Sequence, residues 1–232
     1  MPAVVLLSGG LDSAVNLKRA RDEVGVALAL TFDYGQRAAA REAGAAGTMC
    51  RLLDVPHRVL SLPWLAEICG GALVDPRAEL PRVQPSDLDT ASVTLGETAA
   101  VVWVPNRNGL FANIGAAFAE SLGAELVVAG FNAEEAATFP DNSPGFVAAA
   151  NACLRLSTCS GVRLVSYTQD LDKAAIVTLG RQIGAPIAWA WSCYEGGAEH
   201  CWECESCARF ARGLRTAGAW EWYWEQRRLP PG

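Results

Sequence analysis

The sequence predicts an α/β fold: a parallel sheet with helices on both faces, followed by a small metal-binding C-terminal region. Three observations lead there. Short β-rich apolar runs alternate with Ala-rich segments of helical spacing, which implies right-handed βαβ units. The runs PAVVLLS, VALALTF, HRVL, AELVVAG and VRLVSY are too uniformly apolar for one sheet face to meet water. Four of the eight cysteines crowd between Cys193 and Cys207, and such clustering favours a metal over disulfides.

The first run ends in SGGLDS, Ser8 to Ser13, and feeds a helix for which Asp12 or Ser13 is the expected N-cap. The second ends in TFDYGQR and leads to RAAAREAGAAGTMCRLL; HRVL is the third strand. Residues 70–100, with Pro76, Pro81 and Pro85, break the rhythm and read as a lid, a partner surface or a tolerated surface loop. The rhythm resumes with the helix NGLFANIGAAFAESLG, strand AELVVAG, helix FVAAANACLRL and strand VRLVSY. The tail WEWYWEQRR reads as a packing or oligomer surface. Expected boundaries are 1–190 for the sheet domain and 191–232 for the cysteine-bearing region.

With 232 residues, 51% of them hydrophobic, the chain has enough material for one large core. No apolar run approaches the roughly 18 residues of a membrane span. The start MPAVVLLSGG lacks the basic region of a signal peptide, so the cytoplasm is the expected compartment. A net charge of −6 argues against a broad basic surface for nucleic acid. Small anionic ligands therefore need local positive groups.

SGGLDS supplies the backbone for one. Its two glycines allow a tight turn and close backbone approach, and the following helix N-terminus adds partial positive charge, so phosphate is the expected ligand. No Lys-Ser or Lys-Thr follows, and the spacing is not that of a dinucleotide fold. Arg107 and Asn108 stand at a Pro-marked helix entry where a guanidinium and backbone N–H groups can hold phosphate together; a simple cap is the plainer reading of Asn108. Lys173 falls in the first turn of a helix, where a cation opposes the dipole unless an anion lies nearby. Arg37 closes TFDYGQR at a strand end, and a solvated first-turn residue is its alternative. Cys193, Cys201, Cys204 and Cys207 provide four thiolates, enough to close a tetrahedral structural zinc site. His200 reads as a bystander, and Glu195, Glu199, Glu203 and Glu205 would repel a nucleic-acid phosphate from this knot.

SGGLDS resembles the pyrophosphate loop of ATP-pyrophosphatases. Together with TFDYGQR, VPNRN, FPD, LDKA and WSCYEGGAEHCWECESC, in this order, it makes nearly the whole chain resemble the 7-cyano-7-deazaguanine synthase family. The resemblance implies a Rossmann-like ATP-pyrophosphatase domain with a zinc-bearing C-terminal region, a homodimer, and ATP, Mg2+ and structural Zn2+ as cofactors. It implies adenylation of 7-carboxy-7-deazaguanine, attack by ammonia to give the amide, and a second activation that leaves the nitrile. By position, Ser8, Gly9, Gly10, Leu11, Asp12, Ser13 and Phe32 would bind ATP with Arg107 and Lys173; Asp12, Ser13, Lys173 and Arg107 would be catalytic. Tyr34, Gln36, Arg37, Asn108, Glu135, Phe139 and Asp141 would bind the deazapurine.

One loop departs from the pattern. Family members read something like Asp-x-Ser-Gly-Tyr-Pro-Asp-Cys-Arg, where this chain has Glu135, Ala136, Ala137, Thr138, Phe139, Pro140, Asp141, Asn142 and Ser143. The alternative that this suggests is a defence-associated paralogue passing the activated acyl group to another amine, such as a partner protein. A non-enzymatic nucleotide-binding or zinc module, and a tRNA-thiolating or amidotransferase cousin, are the remaining classes. The complete phosphate motifs oppose the former, and the absence of an appended RNA-binding or glutaminase domain opposes the latter.

Overall fold

The structure, a computed structural model, describes residues 1–83 and 100–229. Ala3–Leu6 (β1), Val26–Asp33 (β2), His57–Ser61 (β3), Leu126–Val128 (β4) and Arg163–Val165 (β5) pair in parallel in the order β3-β2-β1-β4-β5. This is the doubly wound order in which successive crossovers run one way from β1 and then reverse, leaving a crevice at the carboxyl ends of β1 and β4. The expected α/β class is what the chain adopts.

Alternation along β1 sends Ala3 and Val5 to one face and Val4 to the other, and each side chain joins a separate core. On the first face pack Leu11–Glu23 (α1) and Ala39–Leu53 (α2), through residues such as Val15 and Met49. On the second lie Trp64–Ile68 (α3) and Arg107–Ser121 (α4), through Leu65 and Ala112. After β4 come a short helix, Ala133–Ala136 (α5), a 3-10 turn at Pro140–Asn142 and Pro144–Ser157 (α6), which also packs on the second face through Leu154. Lys173–Gln182 (α7) returns to the first face through Ile176 and Val177.

The strand expectation needs one correction. β3 is an edge strand whose central residues, Arg58 and Val59, are exposed, so coverage on both faces holds for the inner strands only. The ladders of β4 and β5 are also shorter than the apolar runs containing them. The expected side-chain N-cap is absent as well: Gly10, in extended conformation, caps α1. Asp12 and Ser13 lie inside the first turn, their side chains free to serve elsewhere.

The C-terminal segment belongs to the same core as the sheet. Glu205–Thr216 (α8) and Trp220–Arg227 (α9) place Phe210, Leu214 and Tyr223 beside Leu7, Val15 and Ile176. The tail tryptophans pack on Trp202, with Trp220 and Trp224 at ring-centroid distances of 5.3 and 5.6 Å. Of the expected excursion, residues 84–99 lie outside the described residues. Its first part runs past the cysteine region, where the Glu205 N–H donates to the Pro81 carbonyl at 3.2 Å.

Two glycines in helices test this packing. A Cβ on Gly115 in α4 would come within 2.9 Å of Leu6 and Val127, whereas one on Gly44 in α2 would meet nothing within 4 Å. Gly115→Val should therefore lower unfolding free energy by about 1–3 kcal/mol through overpacking. Gly44→Ala should raise it by roughly 0.5–1 kcal/mol through helix propensity. Urea denaturation checks both, and equal effects of one sign would contradict the arrangement.

Candidate active site

The crevice at the switch point is lined by the loop after β1, the end of β2, the start of α4, the loop after β4, the start of α7 and the region around the cysteines. Backbone sterics build its floor. Gly9 has φ +79°, and a Cβ there would lie 2.5 Å from the Glu42 carbonyl oxygen. Gly130 approaches α1 so closely that a Cβ would fall 2.8 Å from the Ser13 nitrogen. The first turn of α1, uncapped by any side chain, thus opens its N–H groups and dipole towards the cavity. Ser13 Oγ donates to the Gly10 carbonyl at 3.0 Å and lies 3.1 Å from Ser8 Oγ, fixing the turn.

At its centre is an ion cluster. Lys173 Nζ donates to Asp12 Oδ2 at 2.6 Å and to Glu135 Oε1 at 2.7 Å. Asn132 Nδ2 reaches the same Asp12 oxygen at 3.3 Å, and its Oδ1 caps α5 by accepting from the Glu135 N–H at 2.9 Å. The other Asp12 oxygen, Oδ1, is buried without a partner among the described residues. Burial raises the Asp12 carboxyl to about 6 against the pull of Lys173. Burial raises Glu135 too, but there the ammonium prevails and holds it below the ordinary carboxylate range. The position of Lys173 at the start of α7 is offset by these anions and by Glu134, which accepts its backbone N–H at 2.9 Å.

Arg107, the first residue of α4, donates to the Tyr34 hydroxyl at 3.2 Å. Burial pushes the Tyr34 phenol up despite this cation. Asn108 Nδ2 donates to the Asp141 carbonyl at 3.3 Å, joining the entry of α4 to the loop after β4. Burial also lifts the Asp141 carboxyl, opposed by Arg107. Phe32, Tyr34, Arg107, Asn108, Glu135, Phe139, Asp141 and Lys173 line the cavity together with Ser8, Gly10, Leu11, Asp12 and Ser13.

Gln36 and Arg37 do not line it. Gln36 is buried as a clip, its Oε1 accepting from the Tyr34 N–H at 2.9 Å while Nε2 donates to the Phe32 carbonyl and to Glu42. Arg37 Nη2 donates to the carbonyls of Asp75, at 2.5 Å, and Ala78, and so anchors the segment after α3. Both shape the site from behind.

Several lining residues were not singled out from the sequence for this site: Glu42, Trp103, Trp191, Tyr194, Glu205 and Arg209. Trp191, Tyr194 and Glu205 fall within WSCYEGGAEHCWECESC, Trp103 borders VPNRN, and Glu205 and Arg209 are acid and base at i, i+4 on a helix, whereas Glu42 carried no signal. Arg209 Nη2 donates to Glu205 Oε1 at 2.8 Å, and its Nη1 lies 3.5 Å from Glu134 Oε2.

The four cysteine sulfurs lie within 4.8 Å of one another, a set able to hold a metal ion. Cys201 Sγ also receives the N–H groups of Glu203 and Cys204, at 3.5 and 3.3 Å, which suits a thiolate. His200 stays outside the cluster: Nε2 accepts from the Ser192 N–H at 3.1 Å, and the ring sits 4.7 Å from Trp191 and 4.9 Å from Trp202. Burial, then Arg227, lowers its pKa to about 4, so it is neutral.

The chain matches the family model described as queuosine biosynthesis protein QueC over residues 2–218. It is 55% identical to 7-cyano-7-deazaguanine synthase of Desulforamulus reducens, covering 94% of this chain and 95% of that protein. Identity to the synthase of Pelotomaculum thermopropionicum is 54%, over 94% and 98% of the two chains. The synthase of Methanosarcina barkeri is 43% identical, over 94% and 95%. A looser likeness, at 16% identity and a TM-score of 0.47, is to the structure of NMN synthetase from Francisella tularensis, covering 99% of this chain and 87% of that one. That last likeness is too distant to carry weight. Matched by the family model over residues 2–218 and more than half identical to two named synthases, this chain belongs to the QueC family of queuosine biosynthesis proteins.

Proposed function

We propose that the protein is an ATP-dependent C–N ligase that converts 7-carboxy-7-deazaguanine to the nitrile, 7-cyano-7-deazaguanine. The observation that carries the reading is the uncapped N-terminus of α1 beside the Lys173 cluster, in a chain more than half identical to synthases so named. A carboxylate is a poor electrophile. Transfer of AMP to its oxygen, with release of pyrophosphate, gives an acyl adenylate. Ammonia then attacks the acyl carbon, AMP leaves and the amide remains. A second ATP adenylates the amide oxygen, and loss of AMP and protons yields the nitrile.

In this scheme the α1 N-terminus and Ser8 to Ser13 receive phosphate oxygens, and Arg107 and Lys173 offset their charge. Lys173 is held between two carboxylates until an anion enters, so its position is set before the triphosphate arrives. Magnesium, when bound, neutralises charge on the triphosphate. The unpartnered Asp12 Oδ1 fits such an ion, and Glu135 lies on the same ammonium. The four sulfurs fit zinc in a closed structural site with no position left for chemistry. Ammonia comes from solution or from a partner, and two copies of the chain form the working unit.

Purified protein given ATP, 7-carboxy-7-deazaguanine and ammonium should yield the nitrile by mass spectrometry. Efficient nitrile formation would exclude the alternative in which the activated acyl group passes to another amine, such as a partner protein. Asp12→Ala should abolish pyrophosphate release, since it removes both the Lys173 anchor and the orphaned oxygen. Undiminished release would remove the phosphate assignment.

A pH profile tests the same carboxyl. Asp12 is raised to about 6 in the free enzyme, so lowering pH through that value neutralises it. The kcat/KM for ATP should then fall about tenfold per pH unit below roughly 6. A flat profile from pH 7 to 5 would show that this carboxylate is not needed.

The metal has its own measurement. Elemental analysis should find about one zinc per chain, and Cys207→Ser should lose it together with thermal stability. A folded, metal-free protein of unchanged melting temperature would contradict the assignment.

A further inference from the structure

Among the described residues five carboxylates line the cavity, and they differ in what neutralises them. Asp12 and Glu135 share the Lys173 ammonium, and Glu205 is paired with Arg209. Asp141 and Glu42 are held by neutral amides instead: Asn142 Nδ2 donates to Asp141 Oδ1 at 3.1 Å, and Gln36 Nε2 donates to Glu42 Oε2 at 2.8 Å. Asp141 belongs to the group that the family resemblance gives to the deazapurine. Glu42 has no part in the scheme so far. A carboxylate at a cavity wall with no cation in contact is suited to receive one.

Position narrows which cation. Glu42 stands in the first turn of α2, and its backbone carbonyl is the group that a Cβ on Gly9 would strike, so it flanks the turn SGGLDS directly. Its side chain is near enough to Tyr34 and Arg107 for charge to act between them. In the proposed acyl adenylate the carbon under attack is joined to phosphorus through one oxygen. The incoming nitrogen must therefore be held beside the phosphate position. Its source at neutral pH is mostly ammonium, a cation with N–H donors on every side and no lone pair to attack with. Such a nucleophile needs a carboxylate twice, once for capture and once for loss of a proton. Burial raises the Glu42 carboxyl against the Gln36 bond and Arg107, with Asp33 adding to the rise, which makes it a better proton acceptor. Gln36 is itself clipped to Phe32 and Tyr34, so the carboxylate is fixed through Oε2 while Oε1 faces no hydrogen-bond partner among the described residues.

We infer that Glu42 is a catalytic residue that captures ammonium and takes one of its protons, delivering ammonia to the acyl carbon. The inference rests on the proposed function for the acyl adenylate. Ammonium gives a proton to Glu42 Oε1, and the nitrogen lone pair so released forms the C–N bond. The C–O bond to AMP breaks, AMP leaves with its electron pair, and the surplus proton on the nitrogen passes to water.

Hydroxylamine tests this, because it is a neutral nucleophile at neutral pH and needs no base to free its lone pair. Wild type and Glu42→Gln are given ATP, 7-carboxy-7-deazaguanine and either ammonium or hydroxylamine, and amide plus nitrile or hydroxamate is measured by mass spectrometry. The ratio of kcat/KM for ammonium to that for hydroxylamine should fall about 100-fold or more in Glu42→Gln, the scale of general-base catalysis. An unchanged ratio overturns the inference, since a role in folding, phosphate or metal binding would slow both nucleophiles alike. A second measurement uses wild type alone and so decides even where the substitution spoils the fold. If ammonium is the species captured, the KM for total ammonium should stay within about threefold from roughly pH 7 to 8.5. A KM that falls about tenfold per pH unit shows capture of neutral ammonia and overturns the inference while the proposed reaction stands. No amide, nitrile or hydroxamate from wild type would overturn both.

Discussion

A buried cation shared by two carboxylates organises this site. Lys173 begins α7, Asp12 lies in the first turn of α1 and Glu135 in the short helix after β4, so one ammonium ties three segments at the carboxyl edge of the sheet. Removing one partner from a buried set leaves an uncompensated charge and costs about 3–5 kcal/mol. Close backbone approach makes the geometry accessible: Gly130 and Gly9 allow the surrounding chain to come within contact of α1 and α2. The open N-terminus of α1 and the ion cluster are one construction, since the same helix carries Asp12.

The cysteine cluster is joined to that construction by a short polar relay. Cys204 is the N-cap of α8, and Glu205, the next residue, is buried and held by Arg209. Arg209 and Arg212 both reach Glu134, which accepts the backbone N–H of Lys173. The cysteine-bearing end of the chain therefore braces the helix on which Lys173 sits. A knot that reads in sequence as a separate appendage is a structural wall of the cavity.

Much of the site was legible because its chemistry is local. SGGLDS announces a turn and a helix start; Arg107, Asn108 and Lys173 announce cations and donors at helix entries; the cysteine spacing announces a metal. Gln36 and Arg37 show where local reading stops. Both stand at a strand end, where ligands bind, but each turns to backbone groups that need partners: Phe32 and Tyr34 for Gln36, Asp75 and Ala78 for Arg37. Buried carbonyls and N–H groups must be satisfied, and that demand is invisible in the sequence. Glu42 was missed for the opposite reason, since nothing beside it in the chain hints at a cavity.

By itself the sequence determined what each segment becomes. Apolar runs made strands, Ala-rich spacing made helices, and glycines marked the turn into α1, because these depend on neighbours a few residues away. Tertiary structure alone decided which segments meet. Parallel pairing brought Asp12, Glu135 and Lys173 to one ammonium across 161 residues of chain, and set Trp103 opposite Phe139. Those contacts are set by strand order and helix packing, to which no short stretch of sequence has access.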